Sequence, residues 1–371
     1  MPRCIVVDAA HPDPAAIAVA ARILRAGGLV AFPTETVYGL GANALDADAV
    51  GRIFIAKGRP ADDPLIVHVL DAAGASDRSL AAAWPPIAAR LTDAFWPGPL
   101  TVVVPRGPAI PPIVTAGLPM VALRAPAHPV ARALLAAAGV PIAAPSANPF
   151  GRTSPTTAAH VIAGLGDRVD LVLDGGPCTI GVESTVVDCT TDPIRVLRPG
   201  GIPIEAIRAI APDAIAPDAI APDGIAPGTV PAAAAASPSP GTQLRHYAPR
   251  ARLVLVTGND GDIVATIRAA AVRLAAAGKR VGLLVAAGDE VPVDAERIVA
   301  VCLAPLDDPS LAAHRLFAAL HALDAQDVDV ILARDWPARD LGLALQDRLR
   351  RAAQGGTVLA DGTAAPVMAR S

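Results

Sequence analysis

The chain has 371 residues, 53% of them hydrophobic but only 3% aromatic, so a core must come from Ala, Val, Leu and Ile, and the length suits two domains at roughly 100–200 residues each. A formal net charge of −4 argues against a protein coated for nucleic acid, while leaving room for a local basic groove. No stretch nears the ~20 apolar residues of a membrane span, the start MPRCIVVDAAHPDP has no signal-peptide core, and Cys4, Cys178, Cys189 and Cys302 make no C-x-x-C pair; a soluble cytoplasmic protein with buried free thiols and no zinc ribbon is expected.

Asp13-Pro14 offers an N-cap and a first-turn proline, and Gly27-Gly28 a stop, so an Ala-rich helix is expected between them. Residues 29–32 read as a buried strand feeding the loop PTETVYGLG (33–41). Asp46 or Asp48 caps a second helix that turns Ile53 and Phe54 inward and ends at Lys57. Strands are expected at 65–70, 100–104, 120–124, 142–144, 171–173, 184–188 and 195–197, with helices at 130–138 and 157–163. This makes an α/β domain over 1–208. The unit Ala-Ile-Ala-Pro-Asp then repeats at 209–213, 214–218 and 219–223. A proline in every five residues denies helix and sheet ladders, so 209–250 is expected to be a flexible Pro/Ala-rich linker ending in a docking segment, HYAP (246–249). A second, small Rossmann-like α/β domain is expected over 251–371, with strands in RLVLVTG, KRVGLLVA, RIVAVCLA and VDVILAR and helices near 262–276, 310–323 and 341–353. It lacks GxGxxG, so dinucleotide binding is not indicated.

Several residues in this frame carry chemistry. Lys57 and Arg59 put two long cations together in KGRP, and Ser146-Ala147-Asn148 adds small polar donors at the end of a strand. Together they suit a polyphosphate cradle without a glycine-rich P-loop; a solvated charged loop is the plainer reading of the first. His68 sits in an apolar strand, where a satisfied core histidine is the default. Arg124 ends an apolar strand and needs an anion, because an unpaired buried charge is costly. A structural salt bridge and a substrate carboxylate both meet that need. GVESTVVD (181–188) reads as a strand with one polar face, and Arg198 ends another strand in RVLRPGG.

The order of these motifs resembles the YrdC-like family. PTETVYGLG, KxRP…PLIVH, FWPGPLT, VALRxPxHP, the APSAN segment, GVESTVVD and RPG succeed one another over roughly residues 10–206, and PGTQLRHYAP with the second α/β domain is similar to the longer two-domain, Sua-type form. The resemblance implies a twisted YrdC-like sheet with helices and an L-threonylcarbamoyladenylate synthase, a nucleotidyltransferase. Such an enzyme makes threonylcarbamoyl-AMP and pyrophosphate from L-threonine, bicarbonate or CO2, and ATP, with Mg2+ and no protein-only metal site. It implies partner tRNA threonylcarbamoyl-transferase proteins that modify the adenosine beside the anticodon, direct tRNA binding that is weak or absent, and no membrane. By the same resemblance threonine is held by Thr36, His68, Arg124, the backbone at Ala144, and Ser184. ATP is held by Lys57, Arg59, Asp63, the backbone near Met120, Ser146, Asn148, Ser154, Arg198 and Tyr247, with Lys57 and Arg59 also catalytic. Arg245-His246-Tyr247 is expected to form a lid over the nucleotide. The chain departs from the family pattern at Asp63, commonly Asn, at Pro149-Phe150, and at Gln243-Leu244. A double-stranded RNA-binding module is the alternative from another class. A carbamoyltransferase of the hydrogenase-maturation type would need paired-cysteine zinc fingers, which the chain lacks.

Overall fold

The computed structural model of the chain describes residues 3–77, 79–217, 246–293, 296–354 and 356–360. These divide into two units: one takes in the described residues up to 150 and from 154 to 217, the other 151–153 and those from 246 on.

The first unit runs β1 (Arg3–Val6), α1 (Pro14–Arg25), β2 (Val30–Phe32), β3 (Gly39–Asn43), α2 (Ala47–Lys57), β4 (Ile66–His68), α3 (Ala72–Asp77), α4 (Pro86–Phe95), β5 (Leu100–Pro105), β6 (Met120–Arg124), α5 (Pro129–Ala138), β7 (Ile142–Ala143), α6 (Ala158–Leu165), β8 (Leu171–Asp174), β9 (Thr185–Asp188), β10 (Arg195–Arg198) and α7 (Ile204–Ile210). The strands form one mixed sheet, ordered β1-β8-β2-β3-β7-β4-β6-β5-β9-β10. Alternation along the strands feeds two cores. Val30, Phe32, Leu171 and Leu173 pack with Ile17, Leu24, Val130 and Leu134 of α1 and α5. Ala31, Leu40 and Val172 pack with Val50, Ile53, Leu91 and Val161 of α2, α4 and α6. Each such fully buried Leu, Ile or Val contributes roughly 1.5–3 kcal/mol.

Local signals account for the helix ends. The Asp13 side chain accepts from Ala15 and Ala16 N–H, and Pro14 opens α1. Asp46 caps α2 through Asp48 and Ala49 N–H, and Gly58, at φ 63, closes it.

Three expectations change. The last third of PTETVYGLG, residues 39–41, is strand rather than loop: β3 lies between β2 and β7, and glycine conceals it. A Cβ at Gly41 would sit 2.8 Å from both Phe32 Cε1 and Ile142 Cγ2, so only glycine lets the neighbouring side chains close over it. The chain expected to leave the domain at 208 stays in it. Ile210 ends α7, Ala214 is buried, and Ile215 pairs with strand residues, accepting from Val196 N–H at 2.9 Å and donating to the Ile194 carbonyl at 3.0 Å. The repeat's Ile and Ala find apolar surface here. Residues 218–245, with the third repeat and most of the expected linker, lie outside the described residues. Finally, Cys178 and Cys189 are buried, but Cys4 and Cys302 are exposed on edge strands of the two sheets.

The second unit comprises β11 (Arg252–Thr257), α8 (Asp260–Ala276), β12 (Val281–Ala287), β13 (Ile298–Pro305), α9 (Pro309–Ala325), β14 (Val330–Arg334), α10 (Gly342–Ala353) and β15 (Thr357–Leu359). Its sheet, ordered β13-β12-β14-β11-β15, is parallel at every pairing. Near-continuous apolar strands such as VGLLVAA suit that doubly covered arrangement. His246, Tyr247 and Ala248 are buried in this unit. The Tyr247 ring stacks on Phe317 at 5.7 Å and lies under the Arg348 guanidinium at 4.8 Å, and Ala248 N–H bonds the Gly151 carbonyl at 2.9 Å.

Candidate functional site

The pairing of β4 with β6 sets His68 opposite Arg124 at the ends of both strands. The loop after β2 brings Thr36 to the same place. Arg124 Nη1 donates to Thr36 Oγ1 at 2.9 Å, Nη2 to Glu35 Oε1 at 2.6 Å, and Nε to the Gly98 carbonyl at 3.3 Å. The anion that Arg124 requires within the fold is therefore Glu35. Burial alone would raise the Glu35 carboxyl, but the Arg124 charge and hydrogen bond, with the Ala127 N–H, hold it below the ordinary range. His68 is pushed down to about 3 by burial and then by the Arg124 charge, so it is a neutral imidazole. Among the described residues its Nδ1 has no hydrogen-bond partner. Ala144 adjoins this group, its N–H bonded to the Ile66 carbonyl at 2.9 Å.

The end of α2 makes a second group. Lys57 Nζ donates to the carbonyls of Ser146 and Asn148, each at 2.5 Å, so KGRP and SAN meet directly. The solvated-loop reading fails: Lys57 is 3% exposed and Arg59 7%, because Ile53, Phe54 and Ala56 draw the last turn of α2 into the core. Burial first, and then Arg59, lowers the Lys57 ammonium well below its usual value. Arg59 donates to the Asp63 and Pro64 carbonyls at 3.1 and 2.7 Å. Its Nη2 also lies 2.9 Å from Asp63 Oδ2, without hydrogen-bond alignment. Burial raises the Asp63 carboxyl against the pull of Arg59 and Lys57.

A third group joins β9 and β10. Arg198 Nη2 donates to the Ser184 carbonyl and Oγ at 2.9 and 3.2 Å, and Ser184 Oγ meets Thr101 Oγ1 at 2.7 Å. Buried Ser154 donates to Glu183 Oε1 at 2.5 Å. Two expected residues are not part of these groups. Met120 begins β6, roughly 13 Å of strand from Arg124. Tyr247 belongs to the second unit, and Arg245, of the expected lid, lies outside the described residues.

Buried charge sets these groups off from the rest of the sheet. Lys57, Arg59, Arg124 and Arg198 are buried beside Glu35, Asp63 and Glu183. Burying ions seldom stabilises a fold, so such a gathering points to function.

Residues 22–200 match a family described as "Telomere recombination", and residues 202–354 match "Threonylcarbamoyl-AMP synthase, C-terminal domain". The threonylcarbamoyl-AMP synthase of Pyrococcus abyssi is 42% identical over 336 residues, 91% of this chain and 93% of that one. That of Bacillus subtilis is 42% identical over 355 residues, 95% and 97% of the two chains. The chain belongs to the threonylcarbamoyl-AMP synthase family. A crystal structure of P. abyssi Sua5 complexed with L-threonine covers 96% of this chain and 99% of its own, at 41% identity and a TM-score of 0.85. Both units of the chain are thus shared with these synthases.

Within this synthase fold the sequence left Glu35, Glu183 and Thr101 without roles. A signal existed for the first two: each is an acid among small hydroxyls beside an apolar strand, in PTET and GVEST, where a free carboxylate would be costly.

Proposed function

We propose that the first unit joins L-threonine, bicarbonate or CO2, and ATP into threonylcarbamoyl-AMP with release of pyrophosphate, as a nucleotidyltransferase. The observation that carries this reading is the meeting of Lys57 with the Ser146–Asn148 backbone; a separate buried arginine, Arg124, keeps two donors among the described residues. Arg124 takes the threonine carboxylate, with Thr36, His68, Ser184 and the Ala144 backbone around the amino acid. Lys57, Arg59 and Arg198 offset the triphosphate charge, with Asp63, Ser146, Asn148, Ser154 and the backbone near Met120 lining the nucleotide. The neutral threonine amine adds to CO2, the N–C bond forms as one C–O π pair moves to oxygen, and a proton passes from nitrogen to solvent to leave a carbamate. A carbamate oxygen attacks the α-phosphorus, the bond to the β-phosphate oxygen breaks, and pyrophosphate leaves with the electron pair. Catalysis is then positioning and charge stabilisation.

Among the described residues no three His, Cys, Asp or Glu side chains are grouped to hold a metal by themselves. The cradle nonetheless fits Mg2+ brought with ATP. Asp63 is fully buried there and neither carboxylate oxygen accepts a hydrogen bond, so it would hold the ion together with phosphate oxygens. Bound Mg2+ would neutralise charge on the leaving pyrophosphate. Partner enzymes would then transfer the threonylcarbamoyl group to tRNA. Among the described residues no helix is long and apolar enough to cross a membrane; we place the reaction in the cytoplasm, where ATP and tRNA are. Pyrophosphate release measured with each amino acid in turn, bicarbonate present, tests the reading. Release with threonine alone supports it, and equal release with no amino acid contradicts it.

A further inference from the structure

We propose that Glu35 is a positioning residue for threonine: it presets the Arg124 guanidinium, leaving one N–H on each terminal nitrogen for the substrate carboxylate. The inference rests on the reading of Arg124 as the carboxylate's partner.

A guanidinium has five N–H donors, one on Nε and two on each Nη. Arg124 gives one from Nε to Gly98, one from Nη1 to Thr36 and one from Nη2 to Glu35. Among the described residues one N–H on Nη1 and one on Nη2 remain, two donors for the two oxygens of a carboxylate. Glu35 can fix that geometry because it is itself fixed. Its Oε2 accepts from Ala127 N–H at 3.1 Å and His128 N–H at 3.4 Å, in the turn that opens α5. Its own carbonyl accepts from Ile180 N–H at 2.7 Å and Thr179 Oγ1 at 3.4 Å. One distant segment therefore holds the carboxylate against the arginine, and another holds the backbone that carries it. A long, flexible side chain ordered before the ligand arrives loses less freedom on binding. The second half of the argument is charge. Glu35 stays ionised, which makes it a poor proton acceptor, and it balances Arg124 in the unloaded site so that a lone buried cation need not be tolerated.

The test is calorimetric binding of L-threonine, L-threoninamide and ATP to the full chain and to its Glu35→Gln and Glu35→Asp variants. Glu35→Gln should weaken threonine roughly 10²-fold, the scale of a misplaced binding group, and change ATP affinity less than about threefold. It should also shrink the preference for threonine over threoninamide, which lacks the carboxylate. Glu35→Asp keeps the charge but falls a methylene short, and should be intermediate. If Glu35→Gln does not fold, the same three affinities of Glu35→Asp decide. Unchanged threonine affinity, or equal weakening of threonine and ATP, overturns the proposal and leaves a structural ion pair. Because binding is read without turnover, a chain that binds threonine in this pattern yet releases no pyrophosphate would refute the reaction and not the positioning role.

Discussion

Arg124 and Arg334 hold the same place in two different sheets. Each is the last residue of a buried strand, and each guanidinium bonds carboxylate on Nη2 and a carbonyl on Nε. They differ in what Nη1 meets. In the second unit it is another carboxylate, Asp289 at 2.5 Å, so Arg334 has two acids, Asp260 and Asp289, against its single charge. In the first unit it is the neutral Thr36 hydroxyl, and among the described residues Glu35 is the one carboxylate paired with Arg124. The second arrangement is over-neutralised and would repel a further anion. The first is neutral, with two donors left among the described residues. The same strand-end arginine thus meets carboxylates on both terminal nitrogens in one sheet and on one of them in the other.

The largest effect that sharpens this contrast is on folding. Arg334→Ala should cost about 3–5 kcal/mol by leaving Asp289 buried and unpaired, seen as a lower Tm, with threonine affinity kept. Arg124→Ala strands Glu35 in the same way, but should also abolish threonine binding while sparing ATP. Equal loss of threonine affinity in both variants would erase the distinction. Next in size, Lys57→Ala or Arg59→Ala should lower kcat by roughly 10²–10³, the scale for deleting one transition-state charge donor. Because both side chains are buried, a Tm measured alongside must separate lost charge from lost folding.

How much of this was legible follows from where the partners lie in the chain. That Arg124 requires an anion could be read from its position at the end of VALR. That the anion is Glu35 could not, because 89 residues and a sheet order of β3-β7-β4-β6 separate them. Lys57 and the SAN segment were recognisable as a pair by their chemistry, yet their burial was not, since KGRP looks like a solvated turn until α2 is packed. Strands with apolar alternation were found where expected. β3 was hidden by its glycines, and β1 by its exposure at the sheet edge. The repeats misled in the other direction: proline periodicity argued for a linker from 209, while Ile210, Ala211 and Ala214 pack on the apolar core and the Ile215 backbone pairs with residues 194 and 196.

The buried His68 should also leave a mark on acid stability. His68 is neutral in the folded chain down to about pH 3 but titrates near 6.5 when unfolded. Between those values the unfolded state binds the extra proton, so stability falls as pH drops, by about 1.4 kcal/mol per unit once well below 6.5. Tm followed from pH 7 to 4 should decline less steeply in His68→Gln; an identical slope would mean the imidazole is not buried neutral. The smallest effect lies at the unit's C-terminal edge. Ile215→Pro removes the N–H that bonds the Ile194 carbonyl and should cost about 1 kcal/mol, read as a slight shift in the denaturation midpoint. No shift would return residue 215 to the linker.

The claim beneath all of these is that a carbon from bicarbonate is joined to threonine and then to the α-phosphate of ATP. The most direct measurement is mass spectrometry of the adenylate formed from L-threonine, ATP and 13C-bicarbonate. The account predicts threonylcarbamoyl-AMP carrying one labelled carbon, in step with pyrophosphate. An unlabelled threonyl adenylate, or pyrophosphate released without any threonine-containing adenylate, would contradict it.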